Sequence, residues 1–201
     1  MANASRSSSI ANGLNDKSLH AKFEPEFHEA IDRAAKAGVK NLICFSGNRK
    51  GMPDAQGLEN CCEFLKKVAP HAQEKGVMLC MELLNSKVNH KDYMCDHTAW
   101  GAELARQVGS PNFKLLYDIY HMQIMEGDVI RTIRDNAPFL GQFHTGGVPG
   151  RNEIDATQEL NYRRIMEALV EVDYRGFVGQ EFIPTHDPMT SLRQGYSICD
   201  V

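Results

Sequence analysis

The chain has 201 residues, a net charge of −4, and 42% hydrophobic and 24% charged side chains. This is the composition of one ordinary globular domain, and it excludes a disordered tail, a collagen and a disulfide miniprotein. No run approaches the roughly 20 apolar residues of a membrane span, and the acidic balance argues against generic binding to a nucleic-acid backbone.

Residues 1–13 are polar and Ser-rich without the apolar core of a signal peptide, so disorder is expected there, followed by one domain over 14–201. Glu24–Ala37 reads as a helix closed by Gly38, and Asn41–Phe45 as a short apolar strand. Leu58, Cys61, Cys62, Leu65, Val68 and Ala72 then recur at helical spacing up to Gly76, with Pro70 predicting a kink or a break. Val77–Met81 is the next strand, and Asp92–Val108 the next helix, with Cys95, Ala99, Ala102 and Ala105 on one face. Strand Lys114–Tyr117, helix Ile124–Asn136, strand Leu140–Phe143, helix Asn161–Val172, strand Phe177–Gly179 and helix Asp187–Cys199 complete the chain. The strands are apolar without alternation, as parallel strands covered on both faces are. A helix followed by about five strand–helix units predicts an α/β fold with a parallel sheet, and both a doubly wound sheet and a β/α barrel fit. The six cysteines form no CxxC pair, and Cys61 and Cys62 are adjacent. Buried thiols in a reducing, cytoplasmic compartment are expected.

Four of the strands end on a polar residue: Glu82, Asp118, His144 and Glu181, at intervals of 36, 26 and 37 residues. In a parallel sheet these side chains emerge at the carboxyl edge, and in a barrel they converge on one axis. Three carboxylates and one imidazole suit Mn²⁺ or Mg²⁺ better than a structural zinc ion. Converging carboxylates without a metal repel one another, so at least one pKa should rise. Singly, each residue reads as a helix cap or an ion-pair member; their equivalent positions on four strands argue for a site. His121 lies three residues past Asp118, where it can line the mouth. Asn85 lies three past Glu82, where it can bond a substrate or merely brace the loop. Arg151 ends the loop Gly146-Gly-Val-Pro-Gly, which can carry its guanidinium over a carboxylate or leave it on the surface.

The segments Phe45-Ser-Gly-Asn-Arg, Met81-Glu-Leu-Leu-Asn-Ser, Tyr117-Asp-Ile-Tyr-His-Met-Gln, His144-Thr-Gly-Gly-Val-Pro-Gly-Arg-Asn-Glu and Gln180-Glu-Phe-Ile-Pro resemble the hydroxypyruvate isomerase family of the xylose-isomerase-like barrels. The resemblance runs from about Leu14 to the end. It implies that Glu82, Asp118, His144 and Glu181 hold one divalent cation, Mn²⁺ or Mg²⁺. It further implies that Glu82 and Glu181 are the acid/base pair and that His121 and Arg151 bind substrate oxygens. Some hydroxypyruvate isomerases carry Gln at the position of His144 and His two residues earlier; here Gln142 and His144 stand the other way round, as His does in the related ketose epimerases. The implied fold is a closed eight-stranded β/α barrel, present here as a partial TIM barrel whose first three strand–helix units are missing. Its open edges favour association into a homo-oligomer.

The implied reaction interconverts hydroxypyruvate and tartronate semialdehyde, or a related small keto-hydroxy acid or ketose, through an enediolate. The expected partner is a small-molecule substrate, with neither nucleic acid nor membrane. Two other readings stand beside it: a metal-dependent phosphoesterase like the apurinic-site endonucleases, which calls for more histidines, and a non-catalytic barrel fragment that binds without turnover.

Overall fold

The computed structural model describes residues 2–201. Its strands are β1 (Ala2–Asn3), β2 (Asn41–Cys44), β3 (Met78–Leu83), β4 (Phe113–Asp118), β5 (Leu140–Thr145) and β6 (Val178–Gln180). They form one six-stranded sheet in the order β1-β2-β3-β4-β5-β6, every pair parallel. The helices between them are α1 (His20–Ala37), α2 (Asp54–Lys75), α3 (Thr98–Val108), α4 (Ile119–Met125), α5 (Val129–Asn136), α6 (Tyr162–Glu171) and α7 (Pro188–Cys199). The core lies between these helices and the sheet, where Phe27, Phe64, Leu65, Leu79, Leu115 and Phe143 are buried. On the other face the sheet curls on itself. Asn41 Nδ2 on β2 donates to Gln142 Oε1 on β5 at 2.7 Å, although β3 and β4 lie between those strands in the sheet. The sheet is therefore most of a barrel wall, a partial TIM barrel.

The sixth strand departs from the expectation of about five. It lies in the segment read as disordered. Ala2 and Asn3 pair with Leu42 and Ile43, and the Ala4 N–H continues the ladder to the Ile43 carbonyl at 2.8 Å. The serines that make this segment look solvated are anchored by one carboxylate: Ser5 Oγ and Ser7 Oγ both donate to Glu26 of α1, at 2.5 and 2.7 Å.

Helices α1, α2 and α3 stop at Gly38, Gly76 and Gly109, each in the left-handed region with φ of 72°, 66° and 67°. Glycine reaches that region without a Cβ penalty. Three helical expectations are corrected. Pro70 does not break α2, because Phe64, Leu65, Val68, Ala69 and Ala72 clamp both sides of it into the core. Residues 92–97 are loop rather than helix, since Arg49 bonds them from the β2–α2 connection, through Asp96 Oδ1 at 3.0 Å and the Met94 carbonyl at 3.2 Å. The segment 124–136 is split between α4 and α5 at Gly127 and Asp128, both with positive φ.

Candidate active site

The strand register brings the strand-end residues to one rim. Asp118 pairs with His144, His144 pairs with Gly179 two residues before Glu181, and Glu82 pairs with Leu116 two residues before Asp118. One ligand atom from each of Glu82, Asp118, His144 and Glu181 lies within 4.8 Å of all the others. Glu82, Asp118 and His144 are buried, and Glu181 is exposed. Asp118 also serves in its bland role: its Oδ1 accepts the His121 N–H at 3.0 Å and caps α4. Its Oδ2 remains for the cluster.

Charges in the cluster are interlocked. Arg151 Nη2 lies 2.7 Å from Glu181 Oε2 and 3.2 Å from Asp118 Oδ2, while His144 Nδ1 lies 2.8 Å from the same Glu181 oxygen and 3.7 Å from Glu82 Oε1. Burial raises the pKa of Asp118, and the neighbouring Glu82 carboxylate adds to the rise. Burial raises that of Glu82 too, against the pull of the nearby His144 imidazole. For Glu181 burial pulls upward as well, but the His144 hydrogen bond and the charges of His144 and Arg151 prevail and hold it at about 2. Burial disfavours the His144 imidazolium, yet Glu181 and Glu82 outweigh it and lift its pKa to about 9.

The residues fit a divalent cation. The donor set is three carboxylates and an imidazole, mostly hard oxygen. Glu82 Oε1 is buried without a hydrogen-bond partner in the structure, the kind of orphan that a ligand or ion satisfies. Gly179 leaves room for the imidazole, since a Cβ there would sit 3.0 Å from His144 Cδ2.

His121 borders the cluster with a defined tautomer. The Asn85 backbone N–H can only donate, and it faces His121 Nδ1 at 3.2 Å, so the ring proton of neutral His121 sits on Nε2. Burial and the Arg151 charge hold its pKa at about 3, so the ring is neutral. That leaves a buried Nε2–H donor without a partner, 3.9 Å from Asp118 Oδ2. Asn85 therefore braces His121 and the turn beneath it, where Asn85 Oδ1 accepts the Val88 and Asn89 N–H groups.

Two contributors escape a reading of the sequence. Tyr120 lies under the Arg151 guanidinium, 5.4 Å from ring centroid to Cζ, and its hydroxyl donates to Asn89 Oδ1 at 2.9 Å. His90 has its ring 5.2 Å from that of His121. Their only signal in sequence was closeness to His121 and Asn85.

A parallel sheet of this topology, with four side chains that could hold a metal at its carboxyl rim, places them where β/α barrels build their sites. The chain belongs to the xylose isomerase-like TIM barrel family, whose model matches residues 4–198. It is 32% identical over 181 residues to a putative hydroxypyruvate isomerase of Homo sapiens, covering 86% of this chain and 64% of that protein. It is 32% identical over 178 residues to the hydroxypyruvate isomerase of Escherichia coli (strain K12), covering 85% and 67%. Among solved structures it superposes on an AP endonuclease, family 2, from Brucella melitensis with a TM-score of 0.77 and 29% identity, covering 87% of this chain and 68% of that one. The chain thus spans less than two thirds of the length of the human relative and about two thirds of the other two.

Proposed function

We propose that the protein is a metal-dependent isomerase of small α-hydroxy carbonyl compounds, with hydroxypyruvate as its reference substrate. One observation carries the reading: Glu82 and Glu181 are two of four side chains that could hold a divalent cation, with one ligand atom of each within 4.8 Å of all the others, and their pKa values are pushed in opposite directions. Such divergence is what separates an acid from a base. The names of the relatives at about a third identity support the same class.

In this reading Glu82, Asp118, His144 and Glu181 hold Mn²⁺ or Mg²⁺. A divalent cation there polarises the carbonyl and hydroxyl oxygens and stabilises the negative charge that develops beside them. Glu181 takes the proton from the hydroxyl-bearing carbon, and the C–H electrons form the enediolate double bond. Glu82 returns a proton to the former carbonyl carbon, and the hydroxyl proton passes to the former carbonyl oxygen. His121 Nε2–H donates to a substrate oxygen, and Arg151 pairs with a substrate carboxylate. Buried free thiols at Cys44, Cys61, Cys62, Cys80 and Cys95 support a reducing, cytoplasmic setting.

The test is hydroxypyruvate isomerisation after chelation and add-back of Mn²⁺ or Mg²⁺, with Glu181→Gln as control. Turnover is expected to need the metal and to fall ~10²–10⁴-fold in the mutant. Metal-independent turnover, or an unchanged mutant, overturns the reading. Similarity to the Brucella AP endonuclease raises phosphodiester cleavage as a second reading. Among the described residues, however, this cluster is the one group of three or more ligating side chains, and it holds a single histidine. Cleavage of an abasic-site duplex without isomerisation would favour that second reading.

A further inference from the structure

The segment that carries Glu181 out of β6 has little packing of its own: residues 183–190 are exposed. Its anchor is a carboxylate from another loop. Glu153, 4% exposed, lies two residues past Arg151. It accepts the Thr185 N–H at 2.7 Å, the Thr185 hydroxyl at 2.9 Å, the His186 N–H at 3.2 Å and the Ser191 hydroxyl at 2.8 Å. All four donors belong to the segment after β6. Two further stitches flank them: the Ile183 N–H donates to the Arg151 carbonyl at 2.6 Å, and Asn152 Nδ2 donates to the Ile183 carbonyl at 3.0 Å.

We propose that Glu153 is a positioning residue whose buried carboxylate locks the segment after β6 to the Arg151 loop and thereby fixes the spacing of Arg151 and Glu181. The proposal rests on the reading of Glu181 as base and metal ligand. The chemistry of the donors explains why a carboxylate stands here. Two backbone N–H groups and two hydroxyls converge, and an ionised carboxylate accepts from all of them with both oxygens. In Glu153→Gln one oxygen becomes an NH₂ group that confronts donors, so part of the lock turns repulsive while the volume is kept. Glu153→Asp keeps the acceptor but shortens its reach.

Three readouts test it. Amide exchange in the metal-free protein is expected to rise at least ~10-fold in residues 182–187 of Glu153→Gln, with the central strands unchanged. Mn²⁺ affinity by titration calorimetry is expected to weaken ~10–100-fold, the usual cost of disturbing the support of a ligand. Glu153→Asp should recover part of both losses. Thr185→Val removes one donor without burying a mismatched amide and should loosen the same segment in a folded protein. Exchange and affinity within twofold of wild type in Glu153→Gln overturn the proposal. So does loosening that spreads through the whole sheet, or an unchanged Thr185→Val. A wild-type protein that binds no Mn²⁺ counts against the metal reading instead, while the exchange measurement still judges Glu153.

Discussion

At the scale of single residues, the cluster should make the stability of the metal-free protein and the proposed metal binding depend on pH in opposite senses. In the metal-free protein the pKa of His144 rises from 6.5 to about 9, so its stabilising charge is complete below pH 6.5 and is lost as pH climbs through 9. The raised Asp118 and Glu82 act in the same direction, because each favours the proton that rising pH removes. Glu181, lowered from 4.5 to about 2, stabilises above pH 4.5 and fails only on strong acidification. The contribution of the cluster to the stability of the metal-free protein should therefore peak at about pH 4, and Tm should fall from there toward pH 9. Bound Mn²⁺ should reverse the alkaline loss, since the imidazole must be deprotonated to ligate and binding releases protons. Melting curves at both pH values, with chelator and with Mn²⁺, decide it; a metal-free Tm that is flat above pH 6.5 contradicts the His144 pairing. The four cluster residues were legible in sequence because each ends an apolar strand at a similar interval. Tyr120 and Glu153 were not, because each acts through a contact between distant loops, which no local pattern encodes.

At the scale of elements, the alternation of strands and helices was readable because short apolar runs and glycine stops punctuate it. Two of the errors, at Pro70 and at residues 92–97, share one cause, a local signal overruled by tertiary contact, whereas the split of 124–136 follows from a local break at Gly127 and Asp128. Pro70 is the clearest case: it is exposed within α2, and it lacks the N–H that a helix interior uses. Pro70→Ala should restore that bond without disturbing the core and stabilise by about 2 kcal/mol, the helix gain being offset by a freer unfolded chain. A urea midpoint that does not rise counts against this. The β5–α6 loop gives the opposite case. A Cβ on Gly147 would lie 2.3 Å from the Glu153 carbonyl oxygen and 3.0 Å from that of Asn152, both backbone atoms. Gly147→Ala must therefore displace the stretch of chain that carries Arg151. Turnover should fall on the order of 10²-fold, as for a displacement of about 1 Å at a reacting centre. Tm should fall as well, because Val148 and Ile154 of the same loop are buried and Ile154 packs in the core. Retained activity would show that Arg151 tolerates the shift.

At the scale of the whole molecule, the sheet curls far enough to join β2 to β5 across its interior, yet it ends at two strands that each pair on one side only. Unpaired strand edges recruit other chains. Phe177 at 59% exposure precedes β6, Ile183 at 61% follows it, and Met189 at 56% and Tyr196 at 66% lie on α7, which packs against β6. Large apolar side chains exposed on the elements at an open sheet edge favour association. Copies of the chain should therefore associate in solution, and the association should weaken when Tyr196 and Met189 are both replaced by Lys, which puts like charges where apolar contact formed. Light scattering coupled to size exclusion, over a dilution series, reads the mass directly. A monomer mass at every concentration, unchanged by the double substitution, refutes the association. Because β6 leads directly into Glu181, the measurement also bears on catalysis. If copies meet at that edge, dilution should lower specific activity in step with mass. If activity holds while mass falls, one chain carries a complete site.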